Sequence, residues 1–264
     1  MKKSSKTLVC IFAVSVMSFS CCSVGSAEEQ AVSKGDIVQL GTYEQDADNE
    51  NGKEKIEWEV LSVEDGKALL ISRFALDCMP YHETLKKVTW ENCSLRSWLN
   101  QEFLEEAFTA EEQNLILETK LSNHDNREYK TEAGNDTTDR IFLLSLDEVE
   151  DYYEIKEENF GEAHEEMICR LTDYGRERFI EEYAAWYQED PEKAAEYIES
   201  CEEKYGKNFC VYWLRSPGSF SLNAASIFST GVVGSSGNYV YYTPEAVRPA
   251  MWVETDHLEL LSLQ

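Results

Sequence analysis

From Val211 to Val253 the chain alternates short apolar runs with glycines, a punctuation that favours strands and tight turns over helices. Four strands are expected there: Val211 to Arg215, Ala224 to Phe228, Tyr239 to Tyr242 and Val247 to Val253. The turns between them fall at Pro217-Gly218, Gly231, Gly234 and Gly237-Asn238. The amino-terminal part reads the same way. Ile56, Trp58 and Val60 alternate with Glu57 and Glu59, the period of a half-buried strand. Asp65-Gly66 is a hairpin turn signal, and Ala68 to Ile71 returns as a more buried strand. Asp36 to Tyr43 is a further strand, joined to the pair by the polar stretch Glu44 to Lys55.

The middle is helical. Leu95, Trp98, Leu99 and Phe103 share one helix face. Thr109 with Glu112 and Ser145 with Glu148 are capping boxes. Leu144 and Val149 are placed as a hydrophobic staple for a helix from Leu146 to about Ile155. Residues 176–205 read as a helical hairpin, with stripes at Phe179, Tyr183, Trp186, Tyr187 and at Ala194, Ile198, Cys201, Tyr205. Asp190-Pro191 supplies an N-cap followed by proline at the first helical position. Strands at both ends with helices between predict a single α+β domain over 28–264 whose terminal strands share a sheet.

With 24 Lys+Arg against 51 Asp+Glu, the net charge of -27 is the wrong sign for binding nucleic acid or anionic lipid. A 42% hydrophobic and 12% aromatic content is too rich for a disordered chain. Ten acidic and three basic side chains fall in residues 177–206, a strongly negative and solvated hairpin face. The first 27 residues read as a signal peptide: Lys2, Lys3 and Lys6, the apolar run Leu8 to Phe19, then Gly25-Ser26-Ala27. The run is too short to span a bilayer, so no transmembrane segment is expected. Cys21 and Cys22 keep open a lipoprotein signal with a lipid anchor, although Phe19 suits a lipobox poorly. Either way the expected location is extracellular, secreted or at the cell surface.

Cys78, Cys93, Cys169, Cys201 and Cys210 remain beyond the signal, with no CxxC. Their pairing is open; Cys201–Cys210 and Cys78–Cys93 could each close a short loop, and buried thiols are the other reading. Catalytic signatures fail. His164-Glu165 begins a zincin pattern that ends on Ile168 instead of histidine, and no Gly-x-Ser-x-Gly elbow, phosphate loop or dinucleotide fingerprint occurs. His82, His124, His164 and His257 lack metal spacing. Cys78 with His82 stays as an alternative nucleophile pair. Asp46, Asp48, Glu50 and Glu57 match positions 1, 3, 5 and 12 of a calcium loop, but Asn51 replaces the glycine at position 6 and the flanks read as strands. A solvated hairpin tip competes with calcium there, and no other metal or cofactor is expected.

Trp213-Leu214-Arg215-Ser216-Pro217-Gly218, Asn223-Ala224-Ala225, Gly231, Gly237 and Val247-Arg248-Pro249-Ala250 form a distinctive set. With Gly35-Asp36, Gly41, Trp58, Leu95-Arg96, Trp98-Leu99-Asn100 and Phe108 in order before it, the chain resembles a bacterial family of extracellular proteins known as domain of unknown function 6273. The likeness runs from about Gly35 to Val253, with the hairpin at 176–205 as a suspected insertion. More loosely, the carboxy-terminal pattern is similar to C-type-lectin-like and formylglycine-generating-enzyme (sulfatase-modifying-factor-like) domains. That likeness implies a compact α+β domain with a loop-rich ligand region; the enzyme's copper-binding cysteine pair has no clear counterpart.

Arg215 and Arg248 lie inside apolar strands, where a guanidinium needs carboxylate or backbone acceptors. Bracing of the glycine loops is expected of them, with a ligand anion as the alternative. Tyr239, Tyr241 and Tyr242, with Trp213 and Trp252, either pack in the core or stack on a sugar or peptide. As strand residues, Tyr239 and Tyr241 would share a face that Tyr242 opposes. Trp213, Arg215, Asn223, Asn238, Tyr239 and Tyr241 are the candidate ligand residues; Arg248, Trp252, Gly231 and Gly237 are the structural ones. The expected function is a non-catalytic recognition module for a carbohydrate or protein, with an extracellular enzyme or a purely structural surface module as alternatives.

Overall fold

The computed structural model describes residues 31–260. The signal segment, with Cys10, Cys21 and Cys22, lies outside the described residues. The first sheet is antiparallel, in the order β11-β3-β2-β1-β12. It comprises β1 (Ile37–Tyr43), β2 (Glu54–Glu64), β3 (Lys67–Ser72), β11 (Ala250–Glu254) and β12 (Glu259–Leu260). The amino-terminal strand thus pairs with a carboxy-terminal one, Val38 opposite Leu260, and the terminal strands do share a sheet. In β2, Ile56, Trp58 and Val60 turn inward as their alternation requires. A register shift between Val60 and Ser62 then buries Leu61 as well, the effect of a bulge. The Asp65-Gly66 turn joins β2 to β3.

The second sheet has the order β4-β10-β7-β8-β9. Its members are β4 (Asp77–Cys78), β7 (Tyr212–Pro217), β8 (Asn223–Ile227), β9 (Val233–Tyr239) and β10 (Ala246–Val247). Two sequence expectations change here. The run Val247 to Val253 is two strands in two sheets, because Arg248-Pro249 interrupts it and proline has no N–H to give a ladder. Tyr239 to Tyr242 is a turn closed by the Tyr242 N–H on the Tyr239 carbonyl at 2.8 Å, while the strand is the preceding Val-Gly-Ser-Ser-Gly-Asn-Tyr segment. A short ribbon, β5 (Thr119–Leu121) with β6 (Thr137–Asp139), lies outside both sheets.

Among the helices, α1 (Ser94–Trp98) runs through a wide turn at Leu99–Phe103 into α2 (Leu104–Ala107). Leu95, Leu99 and Phe103 bury on one face. Both capping boxes form, Thr109/Glu112 on α3 (Ala110–Gln113) and Ser145/Glu148 on α4 (Leu146–Tyr153). The helical hairpin is α5 (Asp173–Tyr187), capped by Thr172, and α6 (Pro191–Tyr205), capped by Asp190. Phe179 and Ile198 are its buried anchors, and Arg178 reaches Asp77 of β4 at 3.4 Å. The molecule is a mixed α+β domain with a curled antiparallel sheet. No helix among the described residues is long and apolar enough to cross a membrane.

Candidate functional site

Three of the six candidate ligand residues, Trp213, Arg215 and Asn223, lie in the interior. Trp213 is fully buried, and its indole N–H donates to the Met79 carbonyl at 3.0 Å. Arg215 is 3% exposed. Its Nε donates to Asn123 Oδ1 at 3.1 Å, and Nη1 and Nη2 reach the Leu143 and Ser122 carbonyls and both oxygens of Glu148. Those contacts use all five guanidinium donors. Arg215 therefore has none left for a ligand anion, and its role is the bracing one. Glu148 also closes the α4 capping box on the Ser145 N–H, so one carboxylate ties β7 to α4.

The four structural candidates occupy framework positions. Arg248, 3% exposed, donates to the Ser72 carbonyl at 2.9 Å and to the Tyr212 hydroxyl at 3.3 Å, with Glu59 at 3.6 Å. Trp252 is half-buried on β11. Gly231 and Gly237 have φ of 80° and 64°. A methyl group on Gly231 would strike the His164 carbonyl, and one on Gly237 the Ala224 carbonyl. Only glycine combines that backbone with that proximity.

Asn223 and Asn238 also point into the framework. Asn223 is buried, with Nδ2 on the Ser236 carbonyl at 3.3 Å. Asn238 donates to Glu245 Oε2 at 3.0 Å. Glu245 is fully buried, and among the described residues it has no cationic partner, while its Oε1 and the neighbouring Ser226 hydroxyl have no hydrogen-bond partner. Burial pushes the Glu245 carboxyl up to about 8. Val233 and Ser235 reach an adjoining surface groove of about 760 Å³, walled by Glu128, Glu150, Glu157 and Glu158, and Ser216 and Ser235 border a small cleft beside Asn126 and Phe160.

What remains at the surface is aromatic. Tyr239 is 47% exposed at the end of β9, and Phe220, 45% exposed, meets it edge-on with ring centroids 6.1 Å apart. Tyr239 and Tyr241 are 6.1 Å apart. Trp186 of α5 then packs on Tyr241 at 4.8 Å and on Tyr242 at 4.9 Å. The ribbon continues along the hairpin through Tyr187 and Tyr183 at 4.5 Å, and Tyr183 stacks on Tyr197 at 5.1 Å. Tyr187 and Tyr197 are each 49% exposed. The sequence points to Tyr239 and Tyr241, whereas Trp186, Tyr183 and Tyr187 read there as a helix stripe. Their half-exposure was the missing signal.

The nucleophile pair does not assemble. Cys78 is buried and pushed well above the ordinary thiol range by burial. His82 Nδ1 instead accepts the Ser94 N–H at 3.0 Å. All five cysteines among the described residues are free thiols. Cys210 lies across from Cys169 instead of Cys201, next to the Arg170–Phe209 bridge. Burial would raise the Cys169 thiol, but the hydrogen bond from Cys210 and the Arg248 charge leave it lowered. At 2% exposure it meets no substrate. Of the calcium-loop residues, Glu57 is on β2 and pairs with Arg73 at 2.6 Å, which removes it from the loop of Asp46, Asp48 and Glu50.

No curated protein and no solved structure matches the chain. The family described as Domain of unknown function (DUF6273) matches residues 65–255, a span that holds the whole second sheet and the helical hairpin but begins after β1 and β2. The chain belongs to that family.

Proposed function

We propose that this protein is a non-catalytic recognition module that binds a neutral carbohydrate outside the cell through the ribbon of Phe220, Tyr239, Tyr241 and Trp186. The observation that carries the reading is the run of ring-to-ring contacts at the surface, from Phe220 to Trp186, beside a framework that keeps Trp213, Arg215 and Asn223 buried. Partly exposed aromatic faces give sugar rings an apolar stacking surface, and contiguous exposed apolar area marks interaction sites. The adjoining acidic helices favour neutral over anionic polymers. The amino-terminal signal pattern supports secretion or surface anchoring. A C-type-lectin-like arrangement is supported by the pairing of β1 with β12 in one sheet and by a second sheet of glycine-punctuated strands.

The test is affinity electrophoresis of the protein through gels containing neutral, amino-sugar or uronic-acid polysaccharides. Retardation by a neutral polymer is expected. Tyr239→Ala with Tyr241→Ala should weaken it at least tenfold while the circular dichroism spectrum is kept. Unchanged retardation of that double variant, or no retardation of the wild type, rejects the site.

A further inference from the structure

The loop between β1 and β2 turns three carboxylates toward one point. Oxygens of Glu44, Asp46 and Glu54 lie within 4.8 Å of one another. No lysine, arginine or histidine among the described residues forms an ion pair with any of the three. Acidic groups often gather on surfaces, and that alone would mean little. Glu44 is different: it is 7% exposed, and its Oε1 is buried with no hydrogen-bond partner. A carboxylate oxygen withdrawn from water costs free energy unless something positive or protic meets it.

The other two carboxylates are held in place. Asp46 accepts the Asp48 N–H on Oδ1 at 2.9 Å and Asn51 Nδ2 on Oδ2 at 2.8 Å. Glu54 Oε2 accepts the N–H groups of Gln45 at 2.8 Å and Asp46 at 3.3 Å. Each oxygen keeps lone-pair capacity beyond these bonds.

We propose that Glu44, Asp46 and Glu54 form a calcium site. The donors are all hard, anionic oxygens with no imidazole or thiolate, which selects calcium or magnesium over zinc and copper. Calcium is the better fit, because it accepts irregular sets of 6–8 oxygens completed by water, while magnesium demands a near-ideal octahedron. The ligand set differs from the spacing-based one: Glu44, just past the end of β1, and Glu54, the first residue of β2, replace Asp48, Glu50 and Glu57. The cation would neutralise the orphaned Glu44 oxygen and clamp β1 to β2.

The experiment is isothermal titration of the full chain with calcium chloride at constant ionic strength, with thermal unfolding at 10 mM calcium as a second readout. A dissociation constant on the order of 10⁻⁴ to 10⁻³ M is expected, the range of extracellular calcium modules. Magnesium should bind at least tenfold more weakly. Glu44→Gln and Glu54→Gln should each lower calcium affinity at least tenfold, whereas Glu50→Gln should change it less than twofold. If Glu44→Gln fails to fold, Asp46→Asn and Glu54→Gln carry the same comparison. No calcium heat and no melting shift for the wild type overturns the site. So does wild-type affinity in Glu54→Gln, or equal magnesium and calcium binding, which would mark charge screening alone.

Discussion

The second sheet and the helical hairpin place their polar and aromatic residues in opposite ways. In the sheet and at the two ends of β10, Arg215, Asn223, Glu245 and Arg248 are all buried and aimed at the framework, and Trp213 is wholly inside. In the hairpin, most carboxylates face solvent, Glu182 and Glu202 being held by Arg178 and Arg176, and Tyr187 and Tyr197 are half-exposed. Polar groups inside must have partners, so they lock geometry; aromatics outside have surface to offer a ligand. The contrast teaches that the most distinctive motif in the chain is a scaffold, and that the surface it holds lies beside it.

Replacing Arg215 should produce the largest effect. Arg215→Met leaves the partly buried Glu148 carboxylate without its cation, and a loss of about 3 kcal/mol in urea unfolding is expected. A loss below about 1 kcal/mol would break the scaffold side of the comparison. Glu245 comes next, with a sign set by pH. Its folded-state value of about 8 exceeds the ordinary 4.5, so the fold resists its ionisation. Native stability should then fall as pH rises from about 4.5 toward 8 and level off above, by roughly 3 kcal/mol at pH 7. Glu245→Gln removes that slope. The stability difference between variant and wild type should shift in the variant's favour between pH 4.5 and 8; a pH-independent difference would show that the buried carboxyl is solvated. The smallest effect is expected on the hairpin, where Glu189→Gln with Glu196→Gln should move the melting temperature by less than about 2 °C.

Local chemistry made much of the fold legible. The Asp65-Gly66 turn, the two capping boxes and Asp190-Pro191 each carry a short-range signal, and each appears where its residues place it. β9 was hidden because Val-Gly-Ser-Ser-Gly-Asn-Tyr has no apolar alternation; close backbone packing against β8 makes it a strand. The split at Arg248-Pro249 was hidden because an apolar run does not say which sheet each half joins. For the site, aromatic content pointed to Tyr239 and Tyr241, but exposure is a tertiary property. The same run therefore offered Trp213, which is core, and passed over Trp186, which reaches Tyr241 from a distant helix. Glu44 and Glu54 escaped for a related reason, since their convergence needs the pairing of β1 with β2.

The first sheet has a consequence in time. Its two outer strands, β11 and β12, follow one another in residues 250–260, while the three between them are complete by Ser72. A chain emerging amino terminus first carries β1, β2 and β3 as a meander with both edges unpaired until residues 250–260 have been made. Such edges are templates for wrong partners. Synthesis and folding are therefore out of step by most of the domain, and a chain cut short before Ala250 should aggregate through β1 and β3 instead of persisting as a smaller fold.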